Sequence, residues 1–484
     1  MRQLIVFITL FFSWSLPAAV WSPERPAATD LPDWVSFEYN TGRFLYVDAS
    51  ARAADADGSV EKPFATINSA LEQARPHDEI IIAAGTYHEN LRIRRPHITL
   101  RADSLHQAKI ISPNDDRSVF FALRIDAGAH HTRIIGLDIF GGYYYTVSLE
   151  STWSQSNLDR TGVSKVLLSQ NRLHGSGRDV VKLKPMVQHV VLERNEIFHS
   201  GQRDSSNAEG LDNVNAHHMT VQDNYIHSIA TTGVYAKGGA RQSVIQRNLI
   251  RDVGFAGILV GFDTSPDFFD REANPEMYEA LETKVDNNII DGTGASGIGV
   301  YAAKDTLIRH NTVLNSAQKF HAALFFGNVL QGRRDDGKRP PAKNVKAFGN
   351  VFHTKGNNPV VSIRYMRDRQ VGPLSGLNGM PVMADNVYAT SSGRVRFADG
   401  RPDSRLFQSS GLQRWQQHIG SDEGSQSGDL VLGARYEVLL DNKPVLLNSL
   451  YLDVDFNLEH REPANQIGAV SVADTASPDK TQSL

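Results

Sequence analysis

At 484 residues the chain has room for two or three ordinary domains or one long repetitive one, and 40% hydrophobic with 21% charged residues describes a protein with ample core. A net charge of −4 without a long basic run argues against a nucleic-acid partner. With no cysteine, structural disulfides and a lipid-modified cysteine anchor are excluded.

The opening MRQLIVFITLFFSWSLPAAVWS predicts a signal peptide over residues 1–22. Arg2 supplies the positive n-region, Leu4 to Leu16 the apolar stretch, and Ala18 to Ser22 the small-residue cleavage zone. The apolar run is shorter than a bilayer span, so the mature chain is expected to lack a membrane span and to be secreted or periplasmic, in a bacterium. A linker follows over 23–43. Residues 44–93 then contain one amphipathic helical patch, Ile67 to Ala74, and a strand beyond it.

An internal repeat comes next. VLLSQNRLHG, VVLERNEIFHS, MTVQDNYIHS, SVIQRNLIRD, KVDNNIIDG, LIRHNTVLNS and VKAFGNVFHT align on Asn171, Asn195, Asn224, Asn248, Asn288, Asn311 and Asn350. The spacings are 24, 29, 24, 40, 23 and 39 residues, the long ones carrying insertions at about 262–282 and 329–343. Each unit reads as strand, asparagine turn, strand, Gly-rich turn, strand, because apolar and polar residues alternate over runs of four to six. Units too small to bury a face alone must stack into a solenoid. An asparagine recurring at one turn suits a stacked amide ladder, since each amide both donates and accepts. A propeller blade needs roughly 40 residues or more, which the short spacing rules out. The fold class predicted is all-β: a parallel β-helix over 44–471 with an N-terminal helical cap, and a disordered tail over 472–484.

Three short runs carry a resemblance. Asp57-Gly58 with Lys62-Pro63-Phe64 and Thr66-Ile67, the helical patch, and Gly85-Thr86-Tyr87 resemble, in that order, the entry segment of right-handed parallel β-helix proteins of the pectate-lyase type. The Ile467-Gly468-Ala469 of the last segment resembles that family's closing stretch. The resemblance implies a carbohydrate-active protein.

In a solenoid, chemistry appears as aligned rows and not as one local motif. Taking Val147, Val181, Leu211, Val234, Ile258 and Ile298 as inward-facing in the third strand of each coil, alternation sends two rows outward. One reads Ser148, Lys182, Asp212, Tyr235, Leu259, Gly299; the other reads Glu150, Lys184, Val214, Lys237, Gly261, Tyr301. Charge concentrates between about residues 145 and 240, and Gly238, Gly239 and Gly261 leave space for a ligand. The insertion at 262–282 is expected to wall the groove with a short helix and to offer Phe268, Phe269 and Tyr278 for stacking on sugar rings. The loop from Arg333 to Lys343 is a candidate for steering an anionic polymer.

A lyase acting on a uronate polymer needs a cation beside the carboxylate and a base for the proton alpha to it. Lys237 is the candidate base with Tyr235 beside it as a second catalytic residue. Lys182, Lys184, Arg241 and Glu150 are candidate substrate contacts. Asp204, Glu209 and Asp212 form a hard-oxygen set suited to Ca²⁺. An acidic cluster on one coil and a lysine on the next is similar to the calcium-dependent pectate lyases of polysaccharide lyase family 9, which implies calcium at Asp212 and its neighbours. The dense paired aspartates of that family are absent, as is the Arg-His-Gly strand of family 6. The expectation is a monomeric secreted lyase on an acidic, alginate- or pectate-like polysaccharide. A glycoside hydrolase, a uronate epimerase and a non-catalytic glycan-binding or cell-surface protein stay open, because one fold hosts all four.

Overall fold

A computed structural model describes residues 20–24, 32–35 and 42–471, apart from 53, 155, 157–158, 332–336, 405, 407–410, 435, 440–451, 453 and 462–466. The predicted leader before residue 20 and the predicted tail after 471 lie outside the described residues.

The chain winds into a parallel β-helix. Three long sheets, of 14, 11 and 12 strands among the described residues, run parallel along the rod, and successive coils add one strand to each. The cause is local. Each coil offers three short runs with alternating apolar residues, and no coil can bury its inward face except against the next. The inward row of the third strand is paired in register as Val147, Val181, Leu211, Val234, Ile258, Ile298 and Leu324, all fully buried.

The asparagine ladder is real and longer than the repeat suggested. Nδ2 of each asparagine donates to Oδ1 of the next at 2.9–3.0 Å, from Asn171 through Asn195, Asn224, Asn248, Asn288, Asn311 and Asn350 to Asn386. Leu137 N opens the ladder by donating to Asn171 Oδ1 at 3.0 Å. Every rung is buried, so each amide replaces the water it lost with backbone and side-chain partners.

A second ladder stands at another corner, where a left-handed residue turns each coil. His77, His97, His131, Lys165, His189 and His218 take φ between 53° and 77° there. His77 stacks on His97, and His97 on His131, at centroid distances of 4.2 and 4.4 Å.

The ends differ in how they match the sequence. The predicted helical cap is α1 (Ile67–Gln73), N-capped by Thr66 and burying Ile67, Ala70 and Leu71 over the first coils. The far end is closed by α2 (Leu412–Ile419), whose Trp415 is fully buried and stacks on Phe397 at 5.2 Å. The segment with Ile467 and Ala469 does not close the rod. Phe456, Ile467, Ala469 and Val470 pack along its flank, against Leu249, Ile289, Leu314 and Val351. Among the described residues no helix is long and apolar enough to cross a membrane.

Candidate functional site

The outward rows of the third sheet pair as the alternation predicts. Ser148 is opposite Lys182, Lys182 opposite Asp212, Asp212 opposite Tyr235, and Val214 opposite Lys237. These side chains leave the rod but do not reach open water. Asp212 is 3% exposed and Lys237 9%, because the insertion after Gly261 folds over them. Gly238 and Gly239, at φ 71° and 100°, turn the chain beneath that insertion. The Gly238 amide donates to Glu279 Oε2 at 2.9 Å, so the space they clear is filled by the insertion and not left for a ligand.

Charge in the cluster is closely matched. Lys182 Nζ donates to Asp212 Oδ2, and Lys237 Nζ lies 3.3 Å from Asp212 Oδ1. Asp179, Glu209 and Asp212 present carboxylate oxygens that all lie within 4.8 Å of one another. Burial raises the Asp212 carboxyl, but the two ammonium groups outweigh it and hold the pKa at about 2. Burial and then the Asp179 charge push Glu209 well above the usual carboxylate range, and burial raises Asp179 too. Charge is matched at Asp212 by the two ammonium groups, while the Asp179 and Glu209 pair behind it favours holding a proton.

Lys237 does not have the environment of a base. Burial lowers its ammonium pKa, but Asp212, Glu209 and Asp179 outweigh that and hold it above an ordinary lysine. The lysine whose pKa falls is Lys184, through burial first and the Lys182 charge second. Its Nζ stands 5.0 Å over the ring of Tyr145, a phenol that burial holds protonated.

A pocket of about 250 Å³ opens on this cluster, lined by Tyr145, Arg178, Lys182, Lys184, Asp212 and Lys237 together with Asn207, Asp263 and Phe268. Of the residues singled out in the sequence, Lys182, Lys184, Asp212 and Lys237 come together here, and Glu209 lies behind them. Tyr235 is buried beneath: Lys237 Nζ sits 4.2 Å over its ring, and Phe262 stacks on it at 5.6 Å.

The remaining candidates are elsewhere. Asp204 stays in its loop, bound by Ser206 and 3.9 Å from Arg178, because Gly201 and the turn after it carry residue 204 away from the strand. Arg241 belongs to a different sheet and donates to Ala273 O at 2.5 Å. Glu150 accepts from Ser148 Oγ at 2.5 Å and lies 3.8 Å from Arg124, one coil before Lys184 and outside the pocket lining. Phe269 and Tyr278 are buried, which leaves Phe268 as the exposed ring of that insertion. Arg339, in the loop expected to steer a polymer, is fully buried and pairs with Glu279 at 3.2 Å.

The sequence reading missed Asp179, Arg178 and Tyr145. A third outward row, two residues before each inward one, runs Tyr145, Asp179, Glu209, Thr232. Aligning it would have placed Asp179 beside Glu209.

Residues 130–268 match the family model described as "Right handed beta helix region". No curated protein matches the chain. Among solved structures, the chain is similar to the catalytic domain of a GH87 alpha-1,3-glucanase in complex with nigerose. That match has 12% identity and a TM-score of 0.52 over 78% of this chain and 68% of the other. It is also similar to pectate lyase Pel9A, with 11% identity and a TM-score of 0.47 over 90% and 97% of the two chains. A third neighbour is the A-module of the Azotobacter vinelandii mannuronan C-5 epimerase AlgE6, with 13% identity and a TM-score of 0.49 over 75% and 93%. At these identities the likeness is one of fold alone, and the family-model match and the glucanase likeness agree with the parallel β-helix described above.

Proposed function

We propose that the protein is a secreted lyase that cleaves an acidic, uronate-containing glycan by β-elimination. The observation that carries this reading is one pocket in which Arg178, Lys182, Lys184 and Lys237 face Asp212, with a depressed-pKa lysine beside a protonated tyrosine. A substrate carboxylate enters among the cations. Arg178 and Lys237 neutralise it and stabilise the enolate-like intermediate. The Lys184 amine takes the proton alpha to the carboxylate, and that electron pair forms the carbon–carbon double bond. The glycosidic carbon–oxygen bond breaks, and the Tyr145 hydroxyl gives its proton to the departing oxygen. Lys237 thereby moves from base to electrostatic stabiliser, and Tyr235 supports it from below.

Asp179 and Glu209, with Asp212 beside them, offer hard oxygen donors whose chemistry would suit a calcium ion. A calcium ion held there would add positive charge behind Lys237.

A hydrolase reading is weaker. It needs two carboxyl groups flanking the scissile bond, whereas Asp179 and Glu209 lie outside the pocket lining and Asp212 is occupied by two lysines. The test is release of an ultraviolet-absorbing unsaturated product from a panel of alginate, polygalacturonate and glycosaminoglycans. Reducing ends released without such absorbance would refute elimination.

A further inference from the structure

A second pocket, of about 530 Å³, begins one coil past Lys237 and shares Asp263 with the first. Its lining has a different character. Phe255, Phe262 and Phe320 form an aromatic wall, with Phe320 44% exposed. Among the described residues its lining holds one arginine, Arg364, and two carboxylates, Asp263 and Asp368. Arg364 lies in the same outward row as Lys184, Lys237 and Tyr301, because Tyr301 pairs with Gly327 and Phe326 with Ile363.

The pocket is built to receive polar groups. Among the described residues the Tyr301 hydroxyl and His321 Nδ1 are buried without a hydrogen-bond partner, and both residues line it. Tyr301 lies flat across the next coil because residue 327 is glycine; a Cβ there would stand 1.8 Å from the ring. Two unsatisfied polar atoms in a wall of aromatic rings suit a hydroxyl-bearing ring that stacks and hydrogen-bonds. A second uronate is disfavoured, because its carboxylate would meet that of Asp263.

We infer that the second pocket binds a neutral sugar ring, so that the glycan cleaved is a heteropolymer in which uronate and neutral sugars share the chain. This rests on the first pocket being the uronate site, and it turns the substrate away from homopolymeric pectate or alginate. Phe320 stacks on the neutral ring, and Tyr301, His321 and Arg364 read its hydroxyls.

The test is calorimetry on the full chain in a Lys184→Gln background that stops turnover. The probes are a hyaluronan tetrasaccharide, alternating uronate with a neutral amino sugar, and a galacturonate tetrasaccharide. Hyaluronan is expected to bind about tenfold more tightly, and adding Phe320→Ala or Tyr301→Phe should shrink that preference without weakening galacturonate. Equal or tighter galacturonate binding, or a preference untouched by both substitutions, overturns the neutral subsite. Arg178→Ala should weaken both probes; if it weakens neither, the first-pocket reading falls, a failure separate from the Phe320 result.

Discussion

Lys237 Nζ lies 3.3 Å from Asp212 Oδ1, although the strand register pairs Lys237 with Val214 and Asp212 with Tyr235. The ion pair is therefore diagonal, reaching back one coil. With Lys182 on the other oxygen, one carboxylate is shared by two buried ammonium groups. Asp212→Asn is expected to cost roughly 3–5 kcal/mol, the usual penalty for stranding a buried charge. Chemical denaturation measures it, and adding Lys237→Met should recover part of the loss. A change below about 1 kcal/mol would mean that the pair is solvated.

Lys184 carries the proton transfer in this account. Lys184→Gln should lower turnover by about 10² to 10⁴ and leave the melting temperature nearly unchanged, since among the described residues no carboxylate forms a close ion pair with the Lys184 ammonium. The wild-type rate should rise with pH and level off below the ordinary lysine value of 10.5, because only the neutral amine accepts a proton. A rate that falls steadily with rising pH contradicts the assignment.

Calcium binding should release protons. Glu209 is held up by burial and the Asp179 charge, and Asp179 by burial, so a cation that needs them ionised binds more tightly as pH rises. Calorimetry in two buffers of different ionisation enthalpy reads the proton release. Glu209→Gln should weaken calcium by about tenfold or more, and identical heats in the two buffers would exclude this coupling.

The histidine corner sets acid stability. Burial, then His97 and Lys165, lower the His131 pKa from 6.5 to about 4. A base whose pKa is depressed by folding contributes stability that is full above pH 6.5 and lost as pH falls through about 4. His131→Asn, which tolerates the left-handed φ of 57°, should give a shallower fall in melting temperature over that window. An unchanged slope would place acid sensitivity elsewhere.

The repeat made the rod legible because Asn171 to Asn350 and the inward valines and leucines are set by period and strand alternation alone. The site was legible only in part. Lys182, Lys184, Asp212 and Lys237 sit in rows that alternation defines, so register delivered them. Asp179 and Tyr145 both precede the inward residue by two, Tyr145 as the first residue of its strand and Asp179 at a coil corner before its strand begins. Arg339 looked like a surface charge because its partner Glu279 lies 60 residues away, in a different insertion. Helix α2 carries no repeat signal, and only the open end of the rod explains why Trp415 is needed there.

The central claim is that the cation-lined pocket performs elimination. The most direct measurement is mass spectrometry of the oligosaccharides released from a uronate-containing glycan in heavy-oxygen water. Elimination predicts new ends that are unsaturated and unlabelled, and their loss in Lys184→Gln. Saturated products carrying the heavy oxygen would show that water attacks the bond, and would contradict the mechanism.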